Sequence, residues 1–468
     1  MNENEYISPF SSRYASKEMS YLFSEEYKII TFRRLWISLA KAQMRLGLPI
    51  TRIQVTQMEK HLEEIDFDRA AFYEKRFRHD VMAHIHAFGD VCPDAKPIIH
   101  LGATSCYATD NANLIQCKEA LNLLFGKLVY FLKVLSRFAA KEAKTPCLSY
   151  THFQSAQPTT IGKRVCLWLQ DFLLDAFDWK RLHDTLPFLG AKGATGTQSS
   201  FLTLFQGNSS KVIKLEKMIA RDFGFTNILS ISGQTYSRKI DLNILNAFTS
   251  FAASAHKMGT DIRLLAHDGE ILEAFERSQV GSSAMPFKRN PIYSERICGL
   301  ARFVMSLSQN PAYTAATQWL ERSLDDSSNR RLSIPEAFLG VDSLLNLLIH
   351  LSAKLHSVPK TALERLQREL PFLVMENILM HAVKKGGSRQ DLHEKLRKIS
   401  RKSLQELMKE IAGDPEFRLQ EKEIKPLLSI RSLIGRAPEQ VLEFLNDEVH
   451  PFVKKYTPRK VKLSRIEV

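Results

Sequence analysis

The chain has little with which to build a disulfide framework, a membrane span or a secretion signal. Its six cysteines (Cys92, Cys106, Cys117, Cys147, Cys166 and Cys298) are scattered through 468 residues without a Cys-x-x-Cys pair, a pattern of reduced thiols. No uninterrupted apolar run approaches the roughly 20 residues that cross a bilayer. The opening residues, MNENEYISPFSSRY, have neither the basic nor the apolar region of a signal peptide. No repeat of fixed period and no low-complexity tract occurs, and alternating β-branched runs are few. The expectation is a soluble, cytoplasmic, mainly helical protein.

Charge is abundant and unbalanced: 65 Lys and Arg against 51 Asp and Glu, a formal +14. Basic residues crowd the C-terminal part, in HEKLRKISRKSLQELMKE and KKYTPRKVKLSR. A nucleic-acid surface is one reading, but zinc-finger spacing, RNP-like aromatics and Arg-Gly repeats are all missing. A solvated helix face with interspersed acids fits better. A third reading gathers part of the excess around a polyanionic small molecule.

Apolar residues recur at spacings of three and four over long stretches. Leu114, Cys117, Leu121, Leu124, Leu128, Phe131, Leu135 and Phe138 form one stripe; Ile244, Phe248, Phe251, Ala255, Met258, Ile262 and Leu265 form another. Val165–Trp179, Ile297–Leu307 and Phe338–Leu348 repeat the pattern. One apolar face kept over about seven turns is what near-parallel bundle packing requires. The fold class expected is all-α, with a central long-helix bundle over residues 105–357 between helical domains at 1–104 and 358–468.

Polar loops rich in Gly, Ser, Thr and Pro interrupt the stripes. In GSSAMPFKRNPIYSE, Pro291 suits a first helical position with Asn290 as its N-cap. That leaves Ser282, Ser283 and Lys288 unexplained, since a lysine beside a helix N-terminus is unfavourable unless an anion binds. In HLGATSCYATDN, Thr104 and Ser105 offer hydroxyl donors and Asp110 could cap the following helix. In RFRHDVMAHIH, His79 and His86 would share a helix face while His84 points away, a poor arrangement for a metal. Arg78 and Asp80 beside them make polar substrate contact an alternative. His152, in THFQSAQP, sits among polar loop residues, where a histidine can serve as general acid. GAKGATGTQSS holds Lys192 but lacks the order of a phosphate loop and reads as a turn. In WLERSLDDSSNRR, Arg322, Arg330 and Arg331 surround Asp325 and Asp326, as salt bridges at a helix end or as a fork for carboxylate or phosphate.

Together these segments resemble the fumarase/aspartase superfamily. Its signature of the form SSxMPxKxN is met by Ser282, Ser283, Met285, Pro286, Lys288 and Asn290, and RHDVMAH, LGATSCY, THFQ, GQTYSRK and LDDSSNRR follow in the expected order. The KRNP ending, Lys288 to Pro291, favours a branch acting on a succinyl nucleotide over the PGKVN of fumarases and the PQKKN of argininosuccinate lyases. The resemblance implies β-elimination with release of fumarate, no metal or organic cofactor, and a homotetramer whose active sites are shared between subunits. It implies Ser282 as base, Lys288 and Asn290 as stabilisers of the carbanion, His152 as acid and Glu295 as its orienting carboxylate. Arg13, Tyr14, Arg78, His79, Asp80, Thr104, Ser105, Gln234, Arg296, Arg322, Ser327 and Arg331 would contact the anionic substrate. Ser155 and Phe287 depart from residues common at those positions and bear on rate and pH optimum. An inert, basic nucleic-acid-binding protein on the same fold is the alternative from another class; intact Ser282, Lys288, His152 and Glu295 weigh against it.

Overall fold

Each apolar stripe becomes the buried face of one long helix. A computed structural model describes residues 4–275, 281 and 283–458; Ser282 lies outside the described residues. In chain order the elements that position the site begin with α1 (Glu25–Arg45), α2 (Phe67–Phe77) and α3 (Asp80–Val91). Helix α4 (Ser105–Lys141) runs 37 residues, roughly 55 Å at 1.5 Å per residue. A hairpin, β1 (Pro146–Thr151) and β2 (Gln154–Thr160), leads into α5 (Ile161–Thr185). Helices α6 (Ser209–Asp222), α7 (Lys239–His267), α8 (Ile292–Leu307), α9 (Asp325–Lys354), α10 (Pro359–Leu373) and α11 (Ala437–Phe444) complete the set.

Helices α4, α5, α7, α8 and α9 pack side by side as the bundle. Every stripe residue of α4 and α7 named above is buried. Phe172 and Trp179 of α5 fill the space against Phe131 and Phe251, ring against ring, and Trp168, buried beside them, donates to Asp261 at 2.7 Å. Gly162 lets α5 start hard against the end of α4: a Cβ there would stand 2.5 Å from the Ala139 carbonyl oxygen. Thr160 caps α5, its hydroxyl accepting from Lys163 N at 3.2 Å.

A buried lysine ties three segments together. Lys127 of α4 pairs with Asp342 of α9 and donates to Asn346 Oδ1 at 2.9 Å. Asp342 also accepts from Ser16 N at 2.6 Å, and Asn346 donates to the Tyr14 carbonyl at 3.1 Å. The turn Phe10–Tyr14 is thereby fixed on the bundle. A separate small core, Val374 to Leu427, lies in the C-terminal part, after which Val441, Leu445, Val449 and Phe452 return to the main core.

The structure corrects several expectations. His152 lies in a β-hairpin rather than an irregular loop, so the all-α bundle carries a small two-stranded ribbon. The three histidines do not share a helix: Arg78 in the left-handed conformation (φ 52°) ends α2, and His79 caps α3. His86 stacks on Tyr73 and Phe77, and burial pushes His84 down to about 4. Asp110 caps nothing; it is buried inside α4. Lys192 is no mobile turn residue but pairs with Glu216 at 3.0 Å in the interior. Finally, α9 does hold an 18-residue window of mean hydropathy 1.5, apolar enough to cross a membrane, but 83% of it is buried in the bundle.

Candidate active site

The N-terminal ends of α4 and α9, the segment leading into α7 and the turn between α2 and α3 meet around a cleft of about 680 Å³. Eight of the residues expected to bind substrate line it: Arg78, His79, Asp80, Ser105, Gln234, Arg322, Ser327 and Arg331. A ninth, Thr104, stands at its edge, accepting from Gln234 Nε2 at 3.2 Å.

Several groups of the wall are tied to one another by hydrogen bonds. His79 Nδ1 accepts from Met82 N at 3.4 Å, and its Nε2 faces Ser105 Oγ at 3.3 Å. Asp80 accepts from Val81 N at 2.8 Å and from Arg331 at 3.3 Å. Cys106, which the sequence reading passed over, lies between two substrate-binding candidates. Its thiol faces Gln234 Oε1 at 3.6 Å, and Arg322 donates to its sulfur at 3.2 Å. Burial pushes this thiol up to about 11, so it stays protonated and can donate to Gln234. Gly233 lets the Gln234 segment run against the chain at Glu321, where a Cβ would meet the carbonyl oxygen at 2.6 Å.

Beneath the wall lies a buried charge network that was only half legible. Arg238 donates to Asp326 at 2.7 Å and to Asp110 at 2.9 Å. Arg330 donates to Asp241 at 2.8 Å and to the Tyr236 hydroxyl. The Tyr236 ring lies between the two guanidinium groups, 4.5 and 5.2 Å from its centroid, and its hydroxyl donates to Asp241 at 2.6 Å. Burial works against both arginine charges, yet the aspartates hold each guanidinium above its ordinary value. Of the two readings open for Arg330, salt bridge or anion fork, the structure shows the salt bridge, which commits it to this floor. The signal was in the sequence: an arginine in GQTYSRK and aspartates in TDN and LDD are what a fully paired buried arginine needs.

The remaining candidates do not line the cleft of a single chain. His152 stands exposed at the hairpin tip, where it and Phe153 both have positive φ (51° and 57°), as a two-residue primed turn demands. Lys288 is exposed on its loop. Asn290 does not cap α8; its amide donates to the Gly281 carbonyl at 2.9 Å and closes the loop on itself. The cap is Glu273, which accepts from Tyr293 N and Ser294 N at 3.0 and 2.8 Å. Glu295 is exposed in the first turn of α8, and Arg296 lies 5.8 Å from the Tyr293 ring. No hydrogen bond or ion pair joins Glu295 to His152 among the described residues. Arg13 is exposed and Tyr14 half-buried on the turn against α9. Ser282, in the same loop as Lys288, is outside the described residues.

The long-helix bundle thus carries, at its helix ends, a cleft in which arginines stand beside hydroxyl and amide donors. The family model described as Lyase matches residues 40–306, and that described as Adenylosuccinate lyase C-terminus matches 371–444. Among solved structures, 3-carboxy-cis,cis-muconate lactonizing enzyme from Pseudomonas putida superposes with a TM-score of 0.82 at 23% identity, over 95% of this chain and 99% of that one. A fumarate lyase from Mesorhizobium gives 0.81 at 21%, over 94% and 99%. These share the fold. Closer in sequence are the adenylosuccinate lyases of Saccharomyces cerevisiae (46% identity over 98% of each chain) and Schistosoma mansoni (47% over 97% and 96%). The chain belongs to the adenylosuccinate lyase family and is a carbon–nitrogen lyase.

Proposed function

We propose that the protein eliminates fumarate from adenylosuccinate, leaving AMP, and from the succinyl-carboxamide imidazole ribotide, leaving its carboxamide, as steps of purine biosynthesis. The observation that carries this reading is the cleft itself, in which Arg78, Arg322 and Arg331 stand beside hydroxyl and amide donors. A substrate with one phosphate and two carboxylates suits that collection. In the reaction, Ser282 takes the proton from the carbon beside a succinyl carboxylate. The electron pair left behind forms the carbon–carbon double bond of fumarate as the carbon–nitrogen bond breaks. His152 gives a proton to the departing nitrogen, with Glu295 orienting the imidazole and raising its proton affinity. Lys288 and Asn290 stabilise the charge that builds on the carboxylate, the electrostatic contribution that usually dominates catalysis. No residue role here calls for a metal or an organic cofactor.

Among the described residues, the cleft arginines, His152 at the hairpin tip and Lys288 on the loop before α8 do not share one cleft of a single chain. That separation supports a homotetramer in which each active site takes one segment from each of several subunits. Exposed Trp319, Leu320, Leu324 and Leu332 near the start of α9 offer apolar area for such contacts. Six free, buried thiols support a reducing compartment, the cytoplasm.

The test is fumarate release by purified protein given adenylosuccinate, with argininosuccinate in a parallel reaction. Release from adenylosuccinate alone is the expected result. Release from argininosuccinate alone, or from neither substrate by folded oligomer, overturns the reading.

A further inference from the structure

The hairpin that presents His152 needs something to hold it. A lone two-stranded hairpin is marginal in water, and two non-glycine residues at positive φ in its turn add strain that the surroundings must impose. The strands are also irregular, with a register shift between Leu148 and Tyr150. Their own ladder therefore does not account for a fixed tip.

Two arginines grip the base of the hairpin. Arg164, in the first turn of α5, donates to the Leu148 carbonyl at 2.5 Å. Arg365, on α10, donates to the Tyr150 hydroxyl at 2.9 Å, and that hydroxyl also faces Asp268 at 3.3 Å. Arg365 itself pairs with Asp268 at 2.8 Å. Between the two guanidinium groups lies Glu270, whose side chain is wholly buried. Its carboxylate oxygens stand 3.6 Å from Arg164 and 3.4 Å from Arg365. Neither oxygen has an aligned hydrogen bond, so the carboxylate holds the arginines by charge. Its backbone is fixed as well: Glu270 N donates to Leu265 O at 2.9 Å, and its carbonyl accepts from Val358 N at 2.8 Å, just ahead of α10. Burial pushes the Glu270 carboxyl up, with both arginines working against that shift. A buried carboxylate in this position is costly to the fold unless it organises its neighbours.

We propose that Glu270 is a positioning residue for His152. It sets the two arginines that fix Leu148 and Tyr150, and His152 follows Tyr150 by two residues along the strand. Through Arg365, helix α10 takes part in aiming the acid. The proposal rests on the reading of His152 as the proton donor.

The experiment compares Glu270→Gln, His152→Ala and the double variant in the full-length oligomer. It measures kcat and KM for fumarate release at high enzyme concentration, together with thermal unfolding. Glu270→Gln is expected to lower kcat by about 100-fold, as a misplacement of about 1 Å can, with KM within about threefold. In the His152→Ala background the same change should cost less than about threefold, because residues acting as one unit are not additive. An undiminished kcat in folded Glu270→Gln overturns the proposal. So does an equal loss in both backgrounds, which would mark a role in the fold alone. Should Glu270→Gln fail to fold, Tyr150→Phe carries the same cycle. It removes only the hydroxyl shared by Arg365 and Asp268, and about a tenfold loss of kcat confined to the His152 background is expected. Full activity in His152→Ala overturns the acid assignment itself, and is told apart by being seen without any change at Glu270.

Discussion

Arg238 and His152 belong to the same proposed site and are held in opposite ways. Arg238 is 2% exposed, bonded to carboxylates on two helices and stacked on Tyr236. His152 stands in solvent at the tip of a two-residue turn. The cleft floor is thus complete within one chain, whereas the proposed proton donor stands on an exposed ribbon. The groups beneath the cleft are buried and paired; the groups proposed to react are exposed on a hairpin and a loop. Damage to the first should appear as lost stability, and damage to the second as lost rate.

The largest expected effect breaks the floor. Arg238→Met takes from buried Asp326 and Asp110 the guanidinium they are hydrogen-bonded to, and should lower unfolding free energy by about 3–5 kcal/mol in a denaturant titration. Unchanged stability would show that the aspartates do not need the arginine. His152→Ala should instead lower kcat by about 10³-fold while the unfolding free energy moves by less than about 0.5 kcal/mol. A large stability loss there would erase the contrast.

A smaller effect sharpens the comparison with a buried carboxylate in the same bundle. Asp175 of α5 accepts from Ser250 and Ser254 of α7, each at 2.7 Å. Burial pushes its carboxyl up to about 6. The folded state therefore favours the proton, and the stability this supplies is complete below about pH 4 and lost as pH rises through about 6. At most about 3 kcal/mol is involved, from a shift of about two pH units. Asp175→Asn should flatten that part of the stability–pH curve; an unchanged curve would show that Asp175 does not titrate there.

The bundle was legible because α4, α5 and α7 repeat apolar residues at helical spacing for many turns, and burial follows that spacing. The cleft wall was legible through its motifs, from Arg78 to Arg331. What stayed hidden depends on partners far apart in sequence. Nothing near Arg330 announces that it would turn to Asp241 instead of a ligand, and nothing near Asn290 announces that Glu273 would take the cap. The hairpin was missed because its strands, PCLSYT and QSAQPTT, lack clean alternation and turn through His152 and Phe153 instead of glycine or asparagine. The break at Arg78 was missed for the same reason: a left-handed arginine carries no sequence mark.

The thiols have a use that no catalytic role requires. All six are buried, and burial pushes Cys92 and Cys106 up to about 11, Cys147 and Cys166 up to about 12, and Cys117 higher still. Alkylating reagents attack the thiolate, so in neutral solution the closed protein offers them almost nothing. Each labelled cysteine then records a moment when its own stretch of chain came open. Cys92 reports on the end of α3, Cys106 and Cys117 on the cleft end of α4, Cys147 on the hairpin base and Cys166 on α5. The protein carries its own record of local opening, written in four places along the fold.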